Sequence, residues 1–359
     1  MSKYVLAINP GSTTTKVAIF EGNTNKLQND LSHDSKSLEP FKNITDQFDY
    51  RKDMILNWID SQGYLLKDFK AIVGRGGMLK PMPSGTYTVT DAMVEDLKIG
   101  VQGEHASNLG GLIARAIAEI IDVPAYIVDP VAVDEFEEVA RISGMPEIKR
   151  KSLLHALNVK AIAHRVAKEK DTTVEALNMV VAHLGGGISV VPLKNGRMID
   201  ANNANEMGPF SPERTGGLPV GDLAKLCFSG QYKSMQDLKP HLRGRGGMVA
   251  YLGTNDVREA LAMVEKGDEK AKLVLEAMAY QISKEIGAMA TVLKGKVDAI
   301  VLTGGVAYSE YITGKIIESV GFIAEVIVKP GEDEMLALNE GVIRVEEGEP
   351  IKIYENEVE

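Results

Sequence analysis

A glycine-punctuated strand–turn–strand unit occurs twice in this chain, about half a chain apart. The first copy is VLAINPGSTTTKVAIF, residues 5–20, and the second is MVVAHLGGGISVVPL, residues 179–193. Each opens with a short apolar run that reads as a buried strand, passes through a polar residue (Asn9, His183), and turns on Gly11-Ser12-Thr13 or Gly185-Gly186-Gly187 before a second strand. Glycines in such turns tolerate positive φ and let backbone N–H groups approach an anion closely. Two copies imply two related domains, each offering a loop to the same polyphosphate.

Length agrees with that division. At 359 residues the chain is long for one core, against a prior of ~150 residues per domain. The net charge of -10 argues against nucleic-acid binding, which needs a basic surface to neutralise phosphates. The one cysteine, Cys227, cannot form an internal disulfide and suits a reducing cytosol, so a cytoplasmic location is expected. The opening residues break into turn formers too early for a signal-peptide core. No stretch approaches the ~20 apolar residues of a membrane span, so no membrane partner is expected.

Along the chain, residues 3–20 read as a hairpin, and residues 21–50 are polar and poorly periodic. Helical patterns cover residues 53–62, 103–121, 153–168, 256–266, 269–293 and 335–345, and strands are expected at 70–73, 126–128 and 298–302. Asn195-Gly196 is a strong two-residue hairpin turn. Residues 202–222 form a Gly/Pro-rich loop too long to be passive in a compact domain. Strands alternating with helices, in two halves, describe an α/β protein of two similar domains with a cleft between them. The first is expected over residues 1–150, completed by a C-terminal helix over about 335–359. The second is expected over residues 151–334.

The sequence has no G-x-x-x-x-G-K-[ST] loop, and no G-x-G-x-x-G opens a helix after a strand, so neither a P-loop nor a dinucleotide fold is supported. A third glycine site, LTGG at residues 302–305, does follow a strand. The succession NPGSTTTK, HLGGGISV and LTGGVAYSE resembles the phosphate and adenosine loops of the actin, sugar-kinase and heat-shock-chaperone superfamily. Within it the whole chain resembles the acetokinase family, through GRGGMLKPMPSG, GEHASNLGG, VDPVAVDEF, AHLGGGISV, NEMGPFSPERTGGLPVGD and PGEDEM.

That resemblance implies ribonuclease-H-like mixed sheets in both domains, flanking an interdomain nucleotide cleft. It also implies ATP-dependent phosphorylation of a short-chain carboxylate to its acyl phosphate, with butyrate the first choice over acetate, propionate or isobutyrate. The opposing class is an ATP-binding clamp without transfer chemistry, which would need partner-binding insertions for which this chain has no room. ATP/ADP and Mg²⁺ are the implied cofactors, and a homo-oligomer, dimer or larger, is expected.

Where sugar kinases of the superfamily carry Asp in the first loop, this chain has Asn9. A neutral amide suits a carboxylate acceptor, which is already ionised at neutral pH (carboxyl pKa ~4) and needs no base. Positioning and charge neutralisation remain to be supplied.

The resemblance assigns Asn9, Gly11, Ser12, Thr13 and Lys16 to the first phosphate loop, and His183, Gly185, Gly186 and Gly187 to the second. It assigns Asp256, Val257 and Arg258, with Gly304, Gly305 and Val306, to the adenosine. Arg75 in VGRGG corresponds to an active-site arginine, and Arg214 in SPERTGG stands a few residues upstream of the place of a second one. His155 corresponds to a histidine that contacts the phosphoryl group in flight, and His105 to one that orients neighbours. Asp129, at a strand end, is similar to an active-site aspartate and a metal candidate. Glu332, Asp333 and Glu334 all lie near the family's metal-linked glutamate, and Glu334 is favoured among them.

Overall fold

A computed structural model describes residues 3–355. The chain divides into two compact units, Met1–Asp134 with Ala156–Ala161 and Asp333–Glu359, and Glu135–His155 with Ile162–Glu332.

The first unit is built on a six-stranded sheet. β1 (Tyr4–Pro10), β2 (Thr14–Glu21) and β3 (Thr24–Ser32) are antiparallel neighbours. On the other side of β1, β4 (Phe69–Arg75) and then β6 (Ala125–Val128) add in parallel, and β5 (Thr86–Thr88) closes the edge antiparallel to β6. The second unit repeats this scheme. β7 (Asn178–Leu184), β8 (Ile188–Lys194) and β9 (Arg197–Met198) are antiparallel, and β10 (Ala299–Gly304) and β11 (Val326–Pro330) extend the other side of β7 in parallel. The two glycine-turn hairpins are therefore the equivalent strand pairs β1–β2 and β7–β8 of two mixed sheets that share five strands in one order, the second having no counterpart of β5.

β1 is apolar along nearly its whole length because both faces of its sheet are covered. Its side chains alternate: Leu6 and Ile8 pack with Ile55, Trp58, Leu109 and Ile113, whereas Val5 and Ala7 pack with Leu157, Leu338 and Val342. The second core joins Val180, Ala182 and Leu184 of β7 to Ile300 and Leu302 of β10. Met278, Ile282 and Ile286 of the helix Glu269–Val292 cover them.

Where β4 ends, backbone packs on backbone. A Cβ at Gly74 would sit 2.1 Å from the carbonyl oxygen of Gly110, and one at Gly110 would sit 2.2 Å from that of Arg75. Only glycines allow the helix Asn108–Ile121 to lie this close to the strand, and this contact fixes the backbone of Arg75.

Several elements differ from expectation. β3 lies within the polar stretch that gave no periodicity, and its mostly exposed, polar edge position explains why. The helix expected from residue 53 begins at Phe48, and the one expected from residue 103 begins at Asn108, after a turn through GEHAS. The C-terminal helix spans Glu334–Glu346 and stops where Gly348 adopts φ +108, and residues 356–359 of its expected extent lie outside the described residues. The helices Asp91–Ile99 and Glu310–Val320 were not expected. Among the described residues no helix is long and apolar enough to cross a membrane.

His33, buried just past β3, holds the Thr15 hydroxyl through Nε2 at 2.8 Å. Burial, and then the nearby Arg51 charge, push its pKa down to about 4, below the ordinary 6.5. Between those values the unfolded chain binds a proton that native His33 refuses, so stability is whole above pH 6.5 and declines as pH falls toward 4. Urea midpoints measured across this window are expected to slope for the wild type and to flatten for His33→Gln. Identical slopes would show that His33 does not carry the effect.

Candidate functional site

Each unit presents a cavity at its glycine turn. In the first unit a cavity of about 220 Å³ is lined by Asn9, Pro10, Gly11, Thr14, Lys16, Arg75, His105, Ser107, Val131 and Glu334. The ends of β1 and β4 deliver Asn9 and Arg75, and the first turn of the helix Glu334–Glu346 delivers Glu334. Asp333 caps that helix by accepting the N–H of Leu336 at 2.9 Å.

Glu334 organises the cluster. Its Oε2 accepts from Asn9 Nδ2 at 2.5 Å, and its Oε1 pairs with Arg75 Nη1. Burial by itself would raise the Glu334 carboxyl, but the Arg75 charge and hydrogen bond, the Asn9 amide and Lys16 outweigh it and hold the pKa below the usual value. The glutamate is therefore ionised at neutral pH, and the cluster of Arg75, Lys16 and Glu334 carries one net positive charge. His105 Nδ1 accepts from the Ser107 N–H at 3.2 Å and meets the Ser107 hydroxyl at 2.8 Å. In a neutral imidazole the proton then sits on Nε2.

Asp129 does not line this cavity. It is buried at the end of β6 at φ +38, and its Oδ1 accepts the Gly85 N–H at 2.7 Å. Ser12 and Thr13 form the turn itself, between the lining residues Gly11 and Thr14.

In the second unit a cavity of about 820 Å³ is lined by Gly185 and Gly186, by Pro212 and Glu213, by Asn255 to Arg258 and Leu261, and by Gly305, Val306, Tyr308 and Ser309. Val257, Leu261, Val306 and Tyr308 give it apolar walls. Asp256 caps the helix Val257–Glu265, accepting the Arg258 N–H at 2.8 Å and pairing with its guanidinium at 2.6 Å, which lowers the Asp256 pKa to about 2. Gly187 and Gly304 lie behind the lining. A Cβ on Gly187 would meet Arg214 Nη1 at 2.2 Å, and Gly304, at φ +88, backs onto the Leu184 carbonyl.

Arg214 is thus packed beneath the second loop, where Nη1 donates to the Ala204 carbonyl at 2.9 Å. Burial, then Arg243, lower its pKa, while Glu213 opposes the shift. His155 precedes the helix Ala156–Glu169 and stacks on His183, centroids 3.9 Å apart and planes at 17°. The Ser189 hydroxyl sits 2.8 Å from His155 Nδ1 and accepts the His155 N–H at 3.3 Å. The almost fully buried His183 places Nε2 3.4 Å from Glu332 Oε2.

Sequence reasoning did not single out Glu213, Asn255 or Tyr308. Asn255 Nδ2 donates to Glu213 Oε1 at 2.6 Å, spanning the mouth of the second loop. Glu213 adjoins Arg214 in SPERTGG and Asn255 adjoins Asp256 in TND, and those neighbours were the available signals. Among the described residues no group of three or more His, Cys, Asp or Glu side chains could cage a metal.

The sequence matches the family model described as "Acetokinase family" over residues 147–338. It is 55% identical over 351 residues to a probable butyrate kinase 2 of Caldanaerobacter subterraneus subsp. tengcongensis, covering 98% of this chain and 99% of that one. It is 54% identical over 346 residues to butyrate kinase 2 of Clostridium acetobutylicum, covering 96% and 97% respectively. In fold it is similar to the crystal structure of Porphyromonas gingivalis acetate kinase, with a TM-score of 0.79 at 18% identity over 96% of this chain and 99% of that one. With two mixed sheets that share a five-strand order, a cavity at each glycine turn, and these likenesses over nearly its full length, the chain belongs to the acetokinase family.

Proposed function

We propose that this chain is an ATP-dependent carboxylate kinase that converts butyrate and ATP to butyryl phosphate and ADP, reversibly. The observation that carries the reading is identity above 50% to proteins named butyrate kinases across nearly the whole chain. A carboxylate oxygen attacks the γ-phosphorus as the bond to the β,γ-bridging oxygen breaks, and ADP leaves with that electron pair. No proton need be removed from the acceptor, whose pKa lies ~3 units below neutrality.

The first-unit cavity suits the acceptor. Its charges are Arg75 and Lys16 against Glu334, and its volume of about 220 Å³ lies below the ~300–1,000 Å³ of drug-sized sites. Arg75 is assigned to neutralise the carboxylate and the transferring phosphoryl group, and His105 to orient its neighbours. The second-unit cavity, with apolar walls and Asp256–Arg258 at its rim, is assigned to the adenosine, and the turn at Gly185–Gly187 to its phosphates. His155, stacked on His183, is assigned to donate toward the phosphoryl oxygens, and Arg214 to fix the second loop from beneath.

A nucleotide-borne Mg²⁺ keeps several waters and takes only one or two carboxylates, so the lack of a protein cage among the described residues is compatible with it. Glu334 is the carboxylate we favour for it, ahead of Glu332 and Asp129. The ion's contribution when bound is to neutralise phosphate charge.

Trapping acyl phosphate as the hydroxamate, over straight and branched C2 to C5 acids, tests the reading. Butyrate is expected to give the highest kcat/KM, with neighbouring chain lengths lower by roughly 10–200-fold per methylene. A preference for acetate would overturn the choice of substrate, and no hydroxamate from any acid would overturn the reaction.

A further inference from the structure

Among the described residues Arg51 is the largest fully buried side chain, 1% exposed, and no carboxylate pairs with it. Buried charges are normally paired. Its five N–H groups instead go to neutral acceptors. Nε and Nη2 donate to Gln47 Oε1 at 3.0 and 2.7 Å. Nη1 donates to the Gly11 carbonyl at 2.7 Å and to Thr15 Oγ1 at 3.0 Å, and Nη2 donates to the Ser12 carbonyl at 3.0 Å. The Thr14 carbonyl lies a further 3.3 Å from Nη1, and the backbone N–H of His33 takes the Thr13 carbonyl at 2.8 Å.

Each carbonyl of the first glycine turn is therefore held on the protein side, two of them firmly by one guanidinium. Across a planar trans peptide the N–H of residue i+1 points opposite to the C=O of residue i. Fixing the Gly11 and Ser12 carbonyls onto Arg51 thus aims the Ser12 and Thr13 N–H groups away from it, as successive donors in an anion-binding concavity. A full positive charge with no protein counter-ion stands directly behind those donors.

We propose that Arg51 is the positioning residue of the first phosphate loop: it orients the turn's N–H groups outward, and its missing counter-ion is the phosphate of the bound nucleotide. This rests on the reading of that turn as a phosphate site. Arg51 touches no substrate and acts through the loop.

Gln47→Glu is the discriminating variant. It is isosteric, keeps the one oxygen that accepts from both Nε and Nη2 of Arg51, and supplies the counter-ion that the wild type lacks, so folding is retained while the charge behind the loop is cancelled. The expected result is an unfolding midpoint no lower than that of the wild type, adenosine affinity unchanged, and ATP affinity by calorimetry reduced about tenfold or more. A matching drop in kcat/KM for ATP is expected in the hydroxamate assay. Arg51→Lys, which keeps the charge but cannot fork across two carbonyls, is expected to lose a comparable factor. If Arg51→Lys does not fold, Gln47→Glu decides alone.

A purely structural Arg51 would leave Gln47→Glu with wild-type ATP affinity, and that result overturns the proposal. Equal losses for adenosine and ATP would also overturn it, because the effect would then not act on phosphate. A wild type that makes no hydroxamate would defeat the carboxylate-kinase reading, while the comparison of ATP with adenosine would still decide the role of Arg51.

Discussion

Asn9→Asp is expected to give a folded protein that binds ADP and transfers phosphate to butyrate at least tenfold more slowly than the wild type. The amide of Asn9 donates to Glu334 Oε2 at 2.5 Å, and the glutamate is ionised because Arg75, Asn9 and Lys16 make it so. Aspartate is nearly isosteric but has no donor to offer, so two carboxylates would face each other across that distance. At 4 Å and an effective dielectric near 20, two like charges repel by ~4 kcal/mol. Either the pair takes up a proton, or Glu334 turns away and Arg75 is drawn to a new partner. Both outcomes disturb the charge that meets the acceptor, and each ~1.4 kcal/mol of lost transition-state stabilisation is tenfold in rate. Because two adjacent carboxylates raise one pKa strongly, the variant's relative activity is expected to recover as pH is lowered. Hydroxamate rates between pH 5 and 8, with ADP titrations alongside, measure both effects. Wild-type turnover throughout would mean that the amide of Asn9 has no bearing on transfer.

Arg75→Ala is expected to cost roughly 10²–10³ in kcat, the usual range for a donor aimed at developing charge, with ADP affinity within a few-fold of wild type. The side chain lies in the first-unit cavity, whereas the cavity assigned to adenosine is lined by residues 185–186, 212–213, 255–258, 261, 305–306 and 308–309. Loss of the guanidinium also removes the largest influence that keeps Glu334 ionised against its burial, so the carboxyl pKa should rise. Arg75→Lys, which restores the charge without the planar fork, is expected to recover part of the rate. Single-turnover hydroxamate formation and calorimetric ADP titration separate the two quantities. A near-normal rate in Arg75→Ala would make the residue a bystander, and a parallel loss of ADP binding would assign it to the nucleotide instead.

The parts of this protein that were legible in its sequence are those written in local pattern. The repeated apolar-run-plus-glycine-turn gave both hairpins, because a strand covered on both faces must be continuously apolar and its turn must be small. The helices Val257–Glu265 and Glu269–Val292 were read nearly to their ends, since Asp256 and Asp268 mark their N-caps. β3 escaped because its edge position asks for no alternation, and the helix Asp91–Ile99 escaped although Thr90 caps it through its side chain. At the site, Asn9, Arg75 and Glu334 were each singled out, but for separate roles. That Glu334 grips the other two at once is a tertiary fact between residues 325 and 259 positions apart, and no local pattern encodes it. Arg51 was not singled out and lay just ahead of the helix expected from residue 53, because burial of a guanidinium by backbone carbonyls leaves no trace in residue type.

The interrupted path of the chain through its first unit has a consequence for biosynthesis. Val5 and Ala7 of β1 find Leu338 and Val342 only when the helix Glu334–Glu346 has been made. At ~5–20 residues per second, the 325 positions from Asn9 to Glu334 take roughly 15–65 s to synthesise. Until then that face of the nascent sheet has only Leu157 and Ala161 as cover, and Arg75 and Lys16 lack their carboxylate. A chain released early from the ribosome would thus lack both the lid on its core and the acid that completes its charge cluster. The cover of that face and the charge cluster are thus completed together, by one helix, Glu334–Glu346.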